Sequence, residues 1–408
     1  MRISRVTLLG HKDHGKSTLI GNLLIATNST TQQRIDDAKR TSEKLKRVFE
    51  PGFILDSFSE EREGGLTIDT TRAQINYKDE AFEFIDVPGH EELIKNMISG
   101  ASYANSAILV VSAKSGEGIK EQTKRHLLIA KLLGINKIAI VVNKMDLVEY
   151  KRQVFEGIKN ELGRFLENVG FEKENLNFIP VSAYQNENLL TLSEKISWYT
   201  GPTLLEILYR LNHHEELDRA ATSLRGTIQG ELKQGKNQLL IGKIFSGRLT
   251  KNEVVVLSPQ NIAYKALKVF VKGKEATVAS AGENVAIEIN KKIKGTSKGQ
   301  ILCDEKDVII PQRRFNAVVF VGKKFSGKIN LRFNGMETTA AMKIVGKIDL
   351  SSGDLVTAKS VNHLDIAKVE VQSSDKIPME FNPHVDELSR FTFYKDNEFI
   401  GIGVLSND

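Results

Sequence analysis

One cysteine, Cys303, occurs among the 408 residues, so no disulfide can form within the chain and its stability has to come from packed cores. That usage fits a reducing compartment, and the cytoplasm is the expected location. Nowhere is there an apolar run of the roughly 18 residues that a membrane helix needs. The opening residues, MRISRVTLLGHKD, show neither the apolar core nor the cleavage site of a secretory signal and read as a first strand entering a loop. No repeat of fixed period and no low-complexity tract is present, which sets aside repeat architectures. At 40% hydrophobic residues the chain can fill several cores, and its length suits two or three domains.

A charge excess is also missing from the N-terminal half. Residues 1–200 carry 27 basic and 27 acidic side chains. The basic excess lies in 251–350, with 18 basic against 9 acidic residues, while 351–408 has 5 against 10. A basic middle segment suits nucleic acid or an acidic partner. It equally suits a lysine-rich solvated β-surface, because the lysines are scattered through strand-like alternation with few aromatics between them.

Residues 1–210 alternate β-rich runs with helical patterns. The expected strands are RVTLLG (5–10), FEFIDV (82–87), AILVVS (107–112), KIAIVVN (137–143) and NFIPVS (177–182). Most are nearly continuous apolar runs, as parallel strands buried on both faces require. Between them lie GKSTLIGNLLIA, HEELIKNMISGAS, EQTKRHLLIAKLLG and VFEGIKNELGRFLENVG, which read as helices. The expected fold is a doubly wound α/β domain with a mostly parallel sheet. A highly charged insertion at 28–60 precedes GGLTID, and connections of that length are usually functional or mobile. From about residue 218 short alternating strands run to the C-terminus, with length for two small antiparallel β-barrels. The expected domains are 1–212, 218–306 and 307–408, with a joint near EKDVIIPQR (305–312).

Gly10 to Ser17, GHKDHGKS, has the spacing G-x-x-x-x-G-K-[ST] between a strand and a helix. Successive backbone N–H groups then converge on a phosphate at a helix N-terminus, Lys16 reaches the β- and γ-phosphates, and the Ser17 hydroxyl can ligate Mg²⁺. Gly10, His11, Lys12, Asp13, His14, Gly15, Lys16, Ser17 and Thr18 are the expected wrapping of the phosphates. VVNKMD puts Asn143, Lys144 and Asp146 after a strand, where a carboxylate can accept from N1–H and the exocyclic amine of guanine. Adenine would leave that carboxylate unpaired. Lys144 can lay its stem over the ring, and the backbone at Ser182 and Ala183 in PVSA can meet the base oxygen. In DVPGH, Asp86 can hold Mg²⁺ through water, the Gly89 N–H can bond the γ-phosphate, and His90 sits beside the attacking water. Thr67 in EREGGLTID can close the Mg²⁺ shell when the γ-phosphate is present, with Gly64 and Gly65 as a hinge. The expected cofactors are GTP or GDP with Mg²⁺, the metal held by Ser17, Thr67 and Asp86, and the catalytic groups are His90, Lys16 and Thr67.

With these pieces in order the chain resembles the translation-factor GTPases, the elongation factor 1-alpha and elongation factor Tu group. The resemblance runs nearly the whole length and is strongest over 1–210, in GHKDHGKST, EREGGLTID, DVPGHEELIKNMISGAS, VVNKMDL and WYTGPTLLEIL. It implies a GTPase domain followed by two β-barrels. Within the group, QTKRHLLIAKLLGI (122–135), NKMDLVEYKRQVFEGI (143–158) and NEVVVLSPQNIAYKALKV (252–269) look more like the GTPase large subunit of sulfate adenylyltransferase. That resemblance implies a partner catalytic subunit that makes adenylyl sulfate from ATP and sulfate. GHKDHGKST and LSRFTFYKDNEFIGIGVL (388–405) look more like the elongation factors, which implies the alternative: delivery of aminoacyl-tRNA to the ribosome, with the basic 251–350 surface along the acceptor stem. A third possibility is a GTP-dependent assembly factor with neither role. Both groups usually have valine where this chain has Lys12, one side of a gate before the catalytic histidine. Asp13 matches a loop aspartate linked in the family to a monovalent cation. No second phosphate loop follows residue 210, which argues against a fused kinase.

Overall fold

The computed structural model describes residues 2–46, 48–55, 71–86, 106–213, 222–234, 237–293, 297–380 and 388–406. They form two units, Met1–His213 with Asp349–Asp354, and His214–Ile348 with Leu355–Asp408.

In the first unit, β1 (Arg2–Leu9), β2 (Thr71–Tyr77), β3 (Glu80–Asp86), β4 (Ser106–Ser112), β5 (Ile138–Asn143) and β6 (Leu176–Pro180) form one sheet in the order β2-β3-β1-β4-β5-β6. Every residue of β4 and of β5 is buried, which is why both read as unbroken apolar runs. β1 lies parallel to β3 and to β4, with Leu8 opposite Asp86 and Leu9 opposite Leu109. Successive strands are laid on one side of β1 and then on the other, so the order reverses at the β1–β4 boundary. The carboxyl ends of strands at such a reversal are where open α/β sheets bind ligands.

β2 is an addition to the expected strand set. It pairs antiparallel with β3 from Thr71–Asp86 to Tyr77–Glu80. Its sequence, TRAQINY, buries Ala73 and Ile75 and alternates with Arg72, Gln74 and Asn76. An edge strand with one solvated face lacks the continuous apolar run of its neighbours. Lys78, at φ +56°, turns the chain between the two strands.

Helix Lys16–Ala26 buries Leu19, Ile20, Leu23 and Leu24 in the core of this unit. A Cβ on Gly21 would lie 2.1 Å from the Pro51 carbonyl oxygen, so this glycine permits the helix to meet the far end of the charged insertion. Within that insertion, helix Gln32–Lys44 is capped by Thr31 and buries only Ala38 and Ser42, in keeping with its charged, solvated sequence. Helices Glu121–Leu132, Arg152–Asn168 and Leu204–His213 complete the described helical layers. The expected helix HEELIKNMISGAS falls outside the described residues. No described helix is long and apolar enough to cross a membrane.

The second unit consists of two antiparallel β-barrels. In the first, Val254–Ser258 pairs with both Ile262–Val271 and Ile301–Asp304, which closes the sheet on itself. In the second, Ile329–Phe333 closes against Met336–Ile348 and Arg390–Lys395. Closure leaves the main strands no free edge. Four lysines of this unit are paired locally: Lys251 with Glu275, Lys268 with Glu288, Lys323 with Glu398 and Lys343 with Glu370.

Arg225, which begins the first barrel, is 2% exposed at its side chain. Its Nε and one terminal nitrogen each lie 2.8 Å from an oxygen of Glu380, the other terminal nitrogen donates to the Leu224 and Asp307 carbonyls, and Asp307 Oδ2 is 3.1 Å away. Glu380 and Asp307 follow the first barrel's last strand, so this fork joins the two barrels. Burial works against the guanidinium charge, but the hydrogen bonds it donates to Glu380 outweigh that and hold its pKa above its ordinary value. Glu380→Ala strands this buried cation and should cost about 3 kcal/mol of the barrel unit's stability in urea unfolding. Asp307→Ala, with a carboxylate 52% exposed, should cost under about 1 kcal/mol. Equal effects would contradict the assignment of Glu380 as the main counter-ion.

Candidate nucleotide site

The site begins where β1 ends. Gly10 takes φ +130°, and a Cβ there would lie 2.3 Å from the Val110 carbonyl oxygen, so only glycine fits against β4. Lys12–His14 form one tight turn, and Gly15 at φ +86° leads into helix Lys16–Ala26 with no side chain capping its first turn. The first amides of that helix therefore have no partner from a capping side chain, the condition under which a helix N-terminus holds an anion. Lys16 Nζ is held within the loop at 3.2 Å from the Gly10 oxygen and 3.3 Å from the His11 oxygen. Ser17 is exposed beside it, and Thr18 Oγ1 donates to Glu50 Oε1 at 2.8 Å. Glu50 also accepts from the Gly52 amide. The charged insertion thus returns to the helix that follows the phosphate loop.

Fully buried His14 has Nδ1 3.0 Å from the Val110 oxygen. Burial pushes its pKa below 6.5, so the ring is neutral, Nδ1–H donates, and the loop gains no charge from it at neutral pH. His11 Nδ1 accepts from the Asp13 amide and lies 3.5 Å from its carboxylate. Asp13 is exposed, and so is Lys12, which makes no ion pair or hydrogen bond among the described residues.

Asn143, at the end of β5 and 2% exposed, joins the loop to the base side. Its Nδ2 donates to the His14 oxygen at 2.8 Å, and its Oδ1 accepts from the Ala183 amide at 2.9 Å. Asn22, on the helix after the phosphate loop, donates to the Ala183 oxygen. Ser182 Oγ donates to Asp146 Oδ1 at 2.6 Å, and the Met145 amide donates to the Val181 oxygen at 3.2 Å. Parallel pairing of β5 and β6 brings the two short motifs side by side, with Val142 opposite Pro180.

Lys144 is held in the left-handed region at φ +62°, a conformation that costs a lysine about 1 kcal/mol. Its ammonium is 2.6 Å from the Asp13 carbonyl oxygen and 2.7 Å from Glu117 Oε2. Lys114 Nζ is 3.0 Å from the other oxygen, Glu117 Oε1. The hydrogen bond from Lys144, aided by Lys114 and Ser112, lowers the Glu117 pKa to about 2, so this carboxylate is ionised throughout the physiological range.

The structure thus brings together Gly10, His11, Lys12, Asp13, His14, Gly15, Lys16, Ser17 and Thr18 on one loop, and Asn143, Lys144, Asp146, Ser182 and Ala183 beside it. Asp86 ends β3 opposite Leu8; its side chain lies outside the described residues. Thr67, Gly89 and His90, with the Gly64–Gly65 hinge, also lie outside them. Glu117, Asn22 and Glu50 are additions to the expected set. Glu117 carried one signal in the sequence: a lone acid between two glycines directly after a buried strand.

Residues 1–210 match the family Elongation factor Tu GTP binding domain. Elongation factor 1-alpha of Natronomonas pharaonis is 32% identical over 98% of this chain and 96% of its own length. That of Aeropyrum pernix is 30% identical with the same coverage. A solved structure of sup35 complexed with GDP aligns over 100% of this chain and 94% of its own, at 23% identity and a TM-score of 0.45. The family match and the two elongation factor 1-alpha relatives do not support the sulfate adenylyltransferase subunit expected from the stretches at 122–158 and 252–269; the elongation-factor alternative has the better support. The chain belongs to the GTP-binding translation-factor family of elongation factors Tu and 1-alpha.

Proposed function

We propose that the pocket formed by Gly10–Thr18, Asn143–Asp146 and Ser182–Ala183 binds GTP and GDP, and that the chain hydrolyses GTP as a two-state switch. The observation that carries this reading is the Asn143 amide, which ties the phosphate loop to the base loop so that one rigid pocket spans a whole nucleotide. Asp146 accepts from N1–H and the exocyclic amine of guanine, with Ser182 orienting its carboxylate. Lys144 lays its stem over the ring. Lys16 and the loop amides neutralise the phosphates. The Ser17 hydroxyl, Thr67 and, through water, Asp86 would hold Mg²⁺, which supplies charge neutralisation on the transferring phosphoryl group. His90 positions the attacking water, and the Gly89 amide senses the γ-phosphate. Loss of that phosphate releases the segments around Thr67 and Gly89, shifting the balance between two conformations.

Aminoacyl-tRNA delivered to the ribosome is the client that suits this chain, and the cytoplasm is the compartment that goes with it. Likeness to elongation factor 1-alpha along the whole chain supports that reading over an adenylyltransferase partner, which rests on short stretches alone.

Asp146→Asn should weaken GTP binding by at least about a hundredfold and favour xanthosine triphosphate, whose 2-oxo group suits an amide donor; competition binding that still favours GTP would refute the base assignment. His90→Ala should slow single-turnover hydrolysis by about a hundredfold while GTP affinity stays constant. A wild-type rate would remove its role. Pull-down on a non-hydrolysable GTP analogue should recover aminoacyl-tRNA with an affinity that falls steeply as salt rises. Recovery of an adenylyltransferase catalytic subunit without tRNA would reverse the choice of client.

A further inference from the structure

Lys144 has a task that its stem alone cannot fulfil. A lysine side chain has four rotatable bonds, and a stem that is to floor a purine ring must be fixed at its far end. In this chain the far end is held from two directions, by the Asp13 carbonyl oxygen at 2.6 Å and by Glu117 Oε2 at 2.7 Å. Among the described residues Glu117 is the only carboxylate paired with it. The pair is largely screened from water, with side chains 24% and 22% exposed, which sets it apart from a surface ion pair.

The loop carrying Glu117 is shaped to deliver it. Gly116 and Gly118 flank it at φ +81° and +33°, and a Cβ on either would touch nothing within 4 Å. Packing therefore does not require these two glycines; the backbone path does. The Glu117 amide closes the turn on the Lys114 oxygen at 3.1 Å, and Lys114 takes the second carboxylate oxygen. With Oε1 occupied, Oε2 is left for Lys144.

We infer that Glu117 is a positioning residue of the nucleotide pocket, a clamp that fixes the Lys144 ammonium against the phosphate loop and so keeps its stem over the guanine ring. The inference rests on the guanine-nucleotide reading of the pocket. Without the carboxylate, Lys144 retains one carbonyl partner beside Lys114, which shares Glu117 with it, and mutual repulsion turns its ammonium towards solvent. The stem touches the face of the base and not its edges. The clamp therefore sets how long a nucleotide stays and leaves untouched which base is chosen. It acts on the diphosphate and the triphosphate alike, because it lies on the base side, away from the γ-phosphate.

Stopped-flow release of a fluorescent GDP and of a fluorescent GTP analogue, each chased with unlabelled nucleotide, tests this on the full chain. Glu117→Gln should release both about tenfold faster, the loss of one charge-assisted hydrogen bond. At saturating GTP its kcat should be no lower than that of the wild type while KM rises, and its preference for GDP over xanthosine diphosphate should not change. Glu117→Asp, which keeps the charge one methylene short, should fall between the two, and Lys114→Ala should stay within about twofold of wild type because Lys144 keeps its partner. Wild-type release from a Glu117→Gln protein with an unaltered melting curve would overturn the clamp, as would a fall in kcat at constant KM. Should Glu117→Gln not fold, the Glu117→Asp rate decides: faster than wild type supports the clamp and equal to it overturns it. A wild-type chain that binds no GDP would overturn the pocket itself, an outcome distinct from failure of the clamp.

Discussion

The side-chain amide of Asn143 is the constraint on which the rest of the site depends. Buried at the end of β5, it spends its donor on the His14 carbonyl and its acceptor on the Ala183 amide, groups 129 and 40 residues away in the chain. A buried amide left without such partners would cost roughly 1–3 kcal/mol for each unmade bond, so the two loops it joins stay together. The same contact dictates the neighbouring glycine. A Cβ on Gly15 would come within 2.6 Å of Asn143 Nδ2, and the residue's φ of +86° already disfavours any other side chain. The loop is thus pinned from one side by β4 against Gly10 and from the other by Asn143 against Gly15.

That arrangement is possible because the strands behind it are buried and paired along their length. β4 and β5 are buried along their whole length and pair residue for residue from Ala107–Ile138 to Ser112–Asn143. Each strand presents its last residue at the same edge of the sheet. Short loops leaving that edge carry the functional groups, and the sheet supplies the precision that loops lack by themselves. The barrels meet a related problem with a different device. There a single guanidinium, Arg225, donates to the Glu380 carboxylate and to the Leu224 and Asp307 carbonyls, and its burial makes the match costly to disturb.

Much of this was legible in the sequence, for reasons that can be named. β4 and β5 showed as AILVVS and KIAIVVN because burial on both faces demands unbroken apolar runs. The phosphate loop showed because its glycines answer to backbone geometry, which tolerates no substitute at Gly10 or Gly15. β2 did not show: an edge strand with Gln74 and Asn76 on its solvated face, directly after a long polar insertion, carries half the apolar signal of a central strand. Glu117 was hidden for another reason. Its meaning depends on Lys144 lying 27 residues later in the chain but 2.7 Å away in space, and nothing in the run Ser115-Gly116-Glu117-Gly118 announces that partner. The two readings of the client rest on different lengths of sequence. The stretches at 122–158 and 252–269 are short, whereas the identity to elongation factor 1-alpha, 32% and 30%, runs along 98% of the chain and favours the elongation-factor alternative.

Under the proposed function, one carboxylate, that of Asp146, which accepts a hydrogen bond from Ser182, separates guanine from adenine. Equilibrium displacement of a fluorescent GDP by unlabelled GTP, GDP and ATP, each with and without magnesium, measures that directly. GTP and GDP should displace the probe at least about a thousandfold more effectively than ATP, the discrimination that a buried group left unpaired enforces. Displacement by ATP at concentrations comparable to GTP would contradict it.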